Sequence, residues 1–175
     1  MVLDPWWPKK CIALDTNLLV VLIAYSSLAA KTVQRDRILG DIRGRNDGLS
    51  PKAFDILWQL VRNVERRLTT QHVVAESYNI LKRQASLPHR EDLWNSAIAF
   101  LADRNVVIEE HSCRFQDLRE SRYSKILNEV GPCDAGLICT AERQGATIVS
   151  DDSGLIRWAG TRAVPAITLK EIASQ

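Results

Sequence analysis

Apolar residues along this chain fall into short unbroken runs, separated by longer stretches with helical spacing. Residues 11–14 form the first run and read as a buried strand. Residues 18–31 are apolar nearly all round, which predicts a buried helix. Ser50-Pro51 supplies an N-cap and a first-turn proline, and Phe54, Leu57, Trp58 and Val61 follow at three-to-four spacing. Residues 68–70 predict a short second strand. The helix expected over 71–84 has Val73, Val74, Tyr78 and Leu81 as its apolar side. Leu87-Pro88 breaks the pattern, and Leu93, Trp94, Ile98 and Leu101 mark a helix over 90–103. Residues 106–109 read as a third strand. Residues 115–130 are helical in two pieces and end at Gly131-Pro132. A further helix spans 134–144, with Gly145 at its C-terminus. Residues 146–150 form a fourth strand, 155–159 a short helix and 166–168 a last strand.

Strands thus alternate with helices, and they are continuous apolar runs rather than alternating ones. Strands buried on both faces read this way, so the expected sheet is mainly parallel and covered on both sides. The predicted fold is a three-layer α/β/α sandwich around four to five short strands. The length of 175 residues suits one domain. The stretch 34–50 departs from the rhythm. It is charged, holds Gly40, Gly44 and Gly48, and carries arginines at 35, 37, 43 and 45. It reads as a polar excursion around residues 33–50.

Composition changes this picture little. A net charge of +2 gives no overwhelming basic field, although arginine outnumbers lysine and suits bidentate phosphate contacts. Cys11, Cys113, Cys133 and Cys139 form no C-x-x-C pair, and His72, His89 and His111 are not spaced as zinc ligands. Cys11 and Cys139 sit in apolar runs and read as small buried hydrophobes. A reducing, cytoplasmic setting fits such thiols. Lys9-Lys10 followed by apolar residues faintly resembles a secretory leader, but Asp15 and Asn17 interrupt it. The clean run over 18–25 is too short to span a membrane.

Chemistry enters at the strand ends. The first strand stops at Asp15-Thr16-Asn17 and the fourth at Ser150-Asp151-Asp152. In a parallel sheet these ends share one edge, where ligands bind in open α/β folds. Two helices carry acids near their starts, Glu76 and Asp134. Each alone is an ordinary partner of a helix dipole. Together, like charges at one sheet edge repel unless a divalent cation neutralises them.

These stretches resemble the PIN-domain nucleases, which include the VapC-type toxins of bacterial toxin–antitoxin pairs. The family's opening strand into Asp-Thr-Asn is matched by residues 12–17, its helical glutamate by Glu76 and its third acid by Asp134. Its fourth acid, in a Thr/Ser-x-Asp pattern, is matched by Asp152 with Ser150 in the hydroxyl position. The offset of 152 − 134 = 18 residues supports Asp152 over Asp151. The resemblance implies a metal-dependent endoribonuclease that hydrolyses phosphodiester bonds of single-stranded RNA with one or two Mg²⁺ or Mn²⁺ ions. Asp15 and Asp134 would be direct ligands. Glu76 and Asp152 would be ligands or act through metal-bound water. Asn17, Ser150 and Asp151 would support them, and Thr16 would cap the first helix. Arg62, Arg66, Arg67, Lys82 and Arg83 are candidate phosphate contacts. An antitoxin protein and a second copy of the chain are the implied protein partners.

Two rival readings remain open at this point. One is a PIN-fold module that binds RNA or protein without catalysis, since function lives in the site and not in the fold. The other is a haloacid dehalogenase-like phosphohydrolase, which also begins with a strand-end aspartate. That class resembles Asp-x-Asp, whereas Asn17 stands at the second acidic position here.

Overall fold

The computed structural model describes residues 10–27, 51–84, 90–103 and 106–173. The excursion around 33–50 lies outside the described residues. β1 (Cys11–Leu14) leads into α1 (Thr16–Ser27). α2 (Pro51–Asn63) precedes β2 (Arg66–Thr70), which passes directly into α3 (Gln71–Gln84). Next come α4 (Arg90–Leu101), β3 (Ile108–His111) and α5 (Phe115–Leu118). α6 (Ser121–Gln144), β4 (Thr147–Val149), α7 (Ser153–Thr161), β5 (Ala166–Ile167) and α8 (Leu169–Ala173) complete the order.

The five strands form one sheet in the order β3-β2-β1-β4-β5, and every pairing is parallel. This is the expected α/β architecture, with helices flanking a central parallel sheet. All four β1 residues are buried, as a central strand covered on both faces requires. Leu18 to Ala24 of α1 are buried too, so the all-round apolar pattern does mark an interior helix. α1 packs against α2, α3 and α4, while α6 lies along β1, β2 and β4. The edge strands show how the sheet avoids pairing with another chain. β5 has two residues, and β3 carries Glu109 and Glu110.

Several boundaries shift by one to three residues, β2 starting at Arg66 and α7 spanning Ser153–Thr161, and two differences have a clear physical cause. β3 begins at Ile108 rather than 106, because its register is set by pairing with β2 (Arg67 opposite Ile108, Thr70 opposite His111). Val106 is buried and Val107 exposed, so both apolar residues precede the strand. The two helices expected around Gly131-Pro132 run on as one element with a break inside. Gly131 has φ 83° and ψ 176°, a conformation that an L side chain would resist. Pro132 then restarts the helix, where its missing N–H costs nothing.

The strand order reverses between β1 and β4. In a parallel sheet the chain leaves those two strands in opposite directions, and a crevice opens beyond their carboxyl ends.

Candidate metal and active site

Register alone places the first two residues of the site. Leu14 pairs with Val149, so the next residues of each chain segment, Asp15 and Ser150, stand side by side at the crevice. Ser150 Oγ donates a hydrogen bond to Asp15 Oδ2. The Leu18 N–H donates to Asp15 Oδ1 at 2.8 Å, which makes Asp15 the cap of α1. The Ser150 hydroxyl also accepts the Asp152 N–H at 2.9 Å, tying β1 to the start of α7. Asp15 is 3% exposed. Burial pushes its carboxyl up to about 7, and the charges of Asp134 and Asp151 add to this. The Ser150 and Leu18 hydrogen bonds pull the other way and do not win.

Thr16 is free of the expected capping role because Asp15 fills it. Its hydroxyl instead donates to Glu76 Oε2 at 2.9 Å, across 60 residues of sequence. Cys133 Sγ lies 3.4 Å from the same hydroxyl. Burial raises the Cys133 thiol well above its ordinary range, with Glu76 and Asp134 adding to the effect. Glu76 itself is the sixth residue of α3 and lies in the second turn, beyond the reach of a dipole-capping role.

Asp134 enters from the other side, in the first turn after the Gly131 break. Burial, followed by the charges of Asp152 and Glu76, raises its carboxyl to about 6. Asp152 caps α7, its Oδ1 accepting the N–H groups of Gly154 at 2.7 Å and Leu155 at 2.9 Å. Asp151 is turned elsewhere. Its Oδ1 accepts the Leu169 N–H at 2.9 Å, capping α8, and it does not line the cavity. Its influence on the site is its charge, which acts on Asp15.

Asp15, Thr16, Asn17, Glu76, Ile80, Asp134 and Asp152 line one cavity of about 320 Å³ at the crevice. Four of these seven are carboxylates drawn from four different segments. Among the described residues, no lysine, arginine or histidine forms an ion pair with any of the four. Buried like charges without a counter-ion lose stability, and the raised Asp15 and Asp134 carboxyls express that penalty. The donor set is all hard oxygen, which suits Mg²⁺ or Mn²⁺ and not a thiophilic metal. Asp134 is engaged by no hydrogen bond among the described residues. The set is open: no three His, Cys, Asp or Glu side chains among the described residues converge closely enough to enclose an ion.

The candidate phosphate contacts fare differently. Arg67 is 8% exposed, and its guanidinium donates to the carbonyls of Val61 and Arg62, closing the end of α2. Arg66 forms a two-pronged pair with Glu109 at 2.9 and 2.7 Å. Both belong to the start of β2, and Arg62 to the last turn of α2, so all three sit at the sheet edge opposite the cavity. Position near Glu76 in sequence misled here, because a strand's two ends face opposite edges. Lys82 and Arg83 are exposed in the last turn of α3, beyond the cavity wall. Lys82 lies 5.8 Å from the Tyr78 ring centre.

Sequence reasoning missed two residues of the site. Ile80 follows Glu76 by one helical turn and was legible from that spacing. Cys133 adjoins Asp134, but nothing local announces its contact with Thr16.

The PIN-domain family model matches residues 48–161. The matched span contains Glu76, Asp134 and Asp152. β1 and Asp15 precede it and join the set through the register of β1 with β4. No curated protein matches the chain.

Proposed function

The chain belongs to the PIN-domain family, a nuclease-type fold, and from that premise we propose that it is a metal-dependent endoribonuclease acting on single-stranded RNA. The observation that carries this reading is the cavity at the strand-order reversal, lined by Asp15, Glu76, Asp134 and Asp152 with no cation paired to them among the described residues. Asp15 and Asp134 would hold Mg²⁺ or Mn²⁺, one ion or two. Glu76 and Asp152 would complete the sphere directly or through bound water. When bound, the ion supplies a water of lowered pKa and neutralises charge at the phosphate. Ser150 fixes the orientation of Asp15 through its hydroxyl, and Asn17, on the cavity wall, is placed to orient a phosphate oxygen. Ionised carboxylates are the ligating form, so proton loss from Asp15 and Asp134 must accompany loading. Lys82 and Arg83 are the remaining candidates for holding the RNA backbone.

The toxin role belongs to the same proposal: an antitoxin protein would cover this cavity, and a second copy of the chain would form a homodimer. The reading also places the protein in the cytoplasm; no helix among the described residues is long and apolar enough to cross a membrane. The test is cleavage of a mixed single-stranded RNA pool with Mn²⁺, Mg²⁺ or EDTA, using wild type, Asp15→Asn and Asp134→Asn. Cuts that require metal and vanish in both variants are expected. A folded, metal-binding wild type that cuts nothing would favour the non-catalytic PIN module instead.

A further inference from the structure

We propose that Thr16 and Cys133 form a hydrogen-bond relay that positions the Glu76 carboxylate at the cavity, acting as positioning residues for metal binding. The inference rests on the function proposed above and deepens it. The argument is one of counting hydrogens. Thr16 has a single hydroxyl hydrogen, and an ionised Glu76 can only accept. The 2.9 Å contact between Thr16 Oγ1 and Glu76 Oε2 therefore consumes the threonine's proton. The 3.4 Å contact between Thr16 Oγ1 and Cys133 Sγ must then use the thiol hydrogen. The thiol hydrogen thus points at Thr16 and the threonine hydrogen at Glu76, a series that ends on the carboxylate.

The relay ties three segments that are distant in sequence. Thr16 opens α1, Glu76 lies in α3 and Cys133 follows the Gly131 break in α6. The Ser77 hydroxyl donates to the Thr16 carbonyl at 3.4 Å, a second tie between α3 and the start of α1. Glu76 is exposed, and its own rotamers would otherwise spread it over many positions. With Oε2 held, the carboxylate is fixed on the cavity wall. Thr16 is 8% exposed and Cys133 half-buried, so their positions are set by packing. A carboxylate oriented by outer hydrogen bonds binds metal more tightly, and loss of such partners typically costs 10–100-fold in affinity.

The test is calorimetric titration of Mn²⁺ into the metal-free full chain. Thr16→Val keeps the shape and removes the proton; it should weaken Mn²⁺ about tenfold. Thr16→Ser should bind close to wild type. In a Glu76→Gln background, Thr16→Val should add no further loss. Mn²⁺ affinity unchanged in Thr16→Val, or a loss that persists without Glu76, would overturn the relay. If Thr16→Val does not fold, Cys133→Ser and Cys133→Ala decide the matter. Serine should retain affinity that alanine loses, and equal behaviour of the two overturns the proposal. A wild type that binds no Mn²⁺ refutes the proposed function itself, and the relay falls with it.

Discussion

The two edges of the sheet carry the same kinds of acidic residue in opposite electrostatic states. At the amino edge Glu109, Glu142 and Asp117 each have a cation. Arg66 pairs with Glu109 at 2.7 Å, Arg162 with Glu142 at 2.6 Å and Arg143 with Asp117 at 3.2 Å. The Arg66 hydrogen bond holds Glu109 below its ordinary range, and Arg143 does the same for Asp117. Burial works to raise Glu142, yet Tyr123 and Arg162 outweigh it and the net shift is downward. At the carboxyl edge Asp15 and Asp134 are raised, by burial first and then by neighbouring acids, Asp134 and Asp151 for Asp15 and Asp152 and Glu76 for Asp134. One edge is closed by the protein's own charges; the other is left for a charge from outside. Uncompensated acids cost stability, so their retention in a cleft points to function rather than to folding.

Breaking the open edge should have the largest effect. Asp15→Asn or Asp134→Asn should reduce RNA cleavage by more than about 100-fold, above the range expected for an outer partner of a metal ligand. Gel-resolved cleavage rates check this. Neither change removes much packing, so both variants should stay folded.

Filling the open edge should come next. Mn²⁺ at about 100 times its Kd should stabilise the fold by about 2.7 kcal/mol. For a chain of this size that is a rise of roughly 5–10 °C in Tm. The shift should be absent in Asp15→Asn, as read by a thermal melt with and without EDTA.

A smaller effect separates the edges by pH. Asp15 at about 7 and Asp134 at about 6 lie above the ordinary aspartate value of 3.8, so between these values the folded chain binds more protons than the unfolded one. Their contribution is therefore greatest at low pH and is lost as pH rises through 6 and 7. Glu109, Glu142 and Asp117 behave in the opposite sense. Their contribution is present above the unfolded values and is lost as pH falls through the lowered folded ones. Melting the metal-free protein from pH 5 to 8 should thus show a decline that Asp15→Asn reduces. With Mn²⁺ present the slope should reverse, because protons and metal compete for the same carboxylates.

The smallest expected effect is at the closed edge. Arg66→Ala removes a partly exposed, solvent-screened pair and should shift the denaturant midpoint only slightly. It should leave Mn²⁺ affinity unchanged. A change in that affinity would show the two edges to be coupled.

Local pattern carried much of this architecture. The bounds of β1 and α3 follow directly from an apolar run and a helical spacing. Asp15 and Ser150 were legible because strand ends in a parallel sheet share an edge. What local pattern lacked was partner identity. Thr16 reads as a cap until Asp15 is seen filling that role, and its true partner lies 60 residues away. Arg67 reads as a surface cation until β2 turns it onto the end of α2. Asp151 and Asp152 are adjacent in sequence, yet one caps α8 and the other lines the cavity. Such choices are made by tertiary packing, which no window of sequence contains.

The most direct test of the central claim is a calorimetric titration of Mn²⁺ into the metal-free protein at neutral pH, in buffers of different ionisation heat. The account predicts saturable binding of one or two ions with proton release, abolished in both Asp15→Asn and Asp134→Asn. Absence of saturable binding, or equal affinity in wild type and both variants, would contradict it.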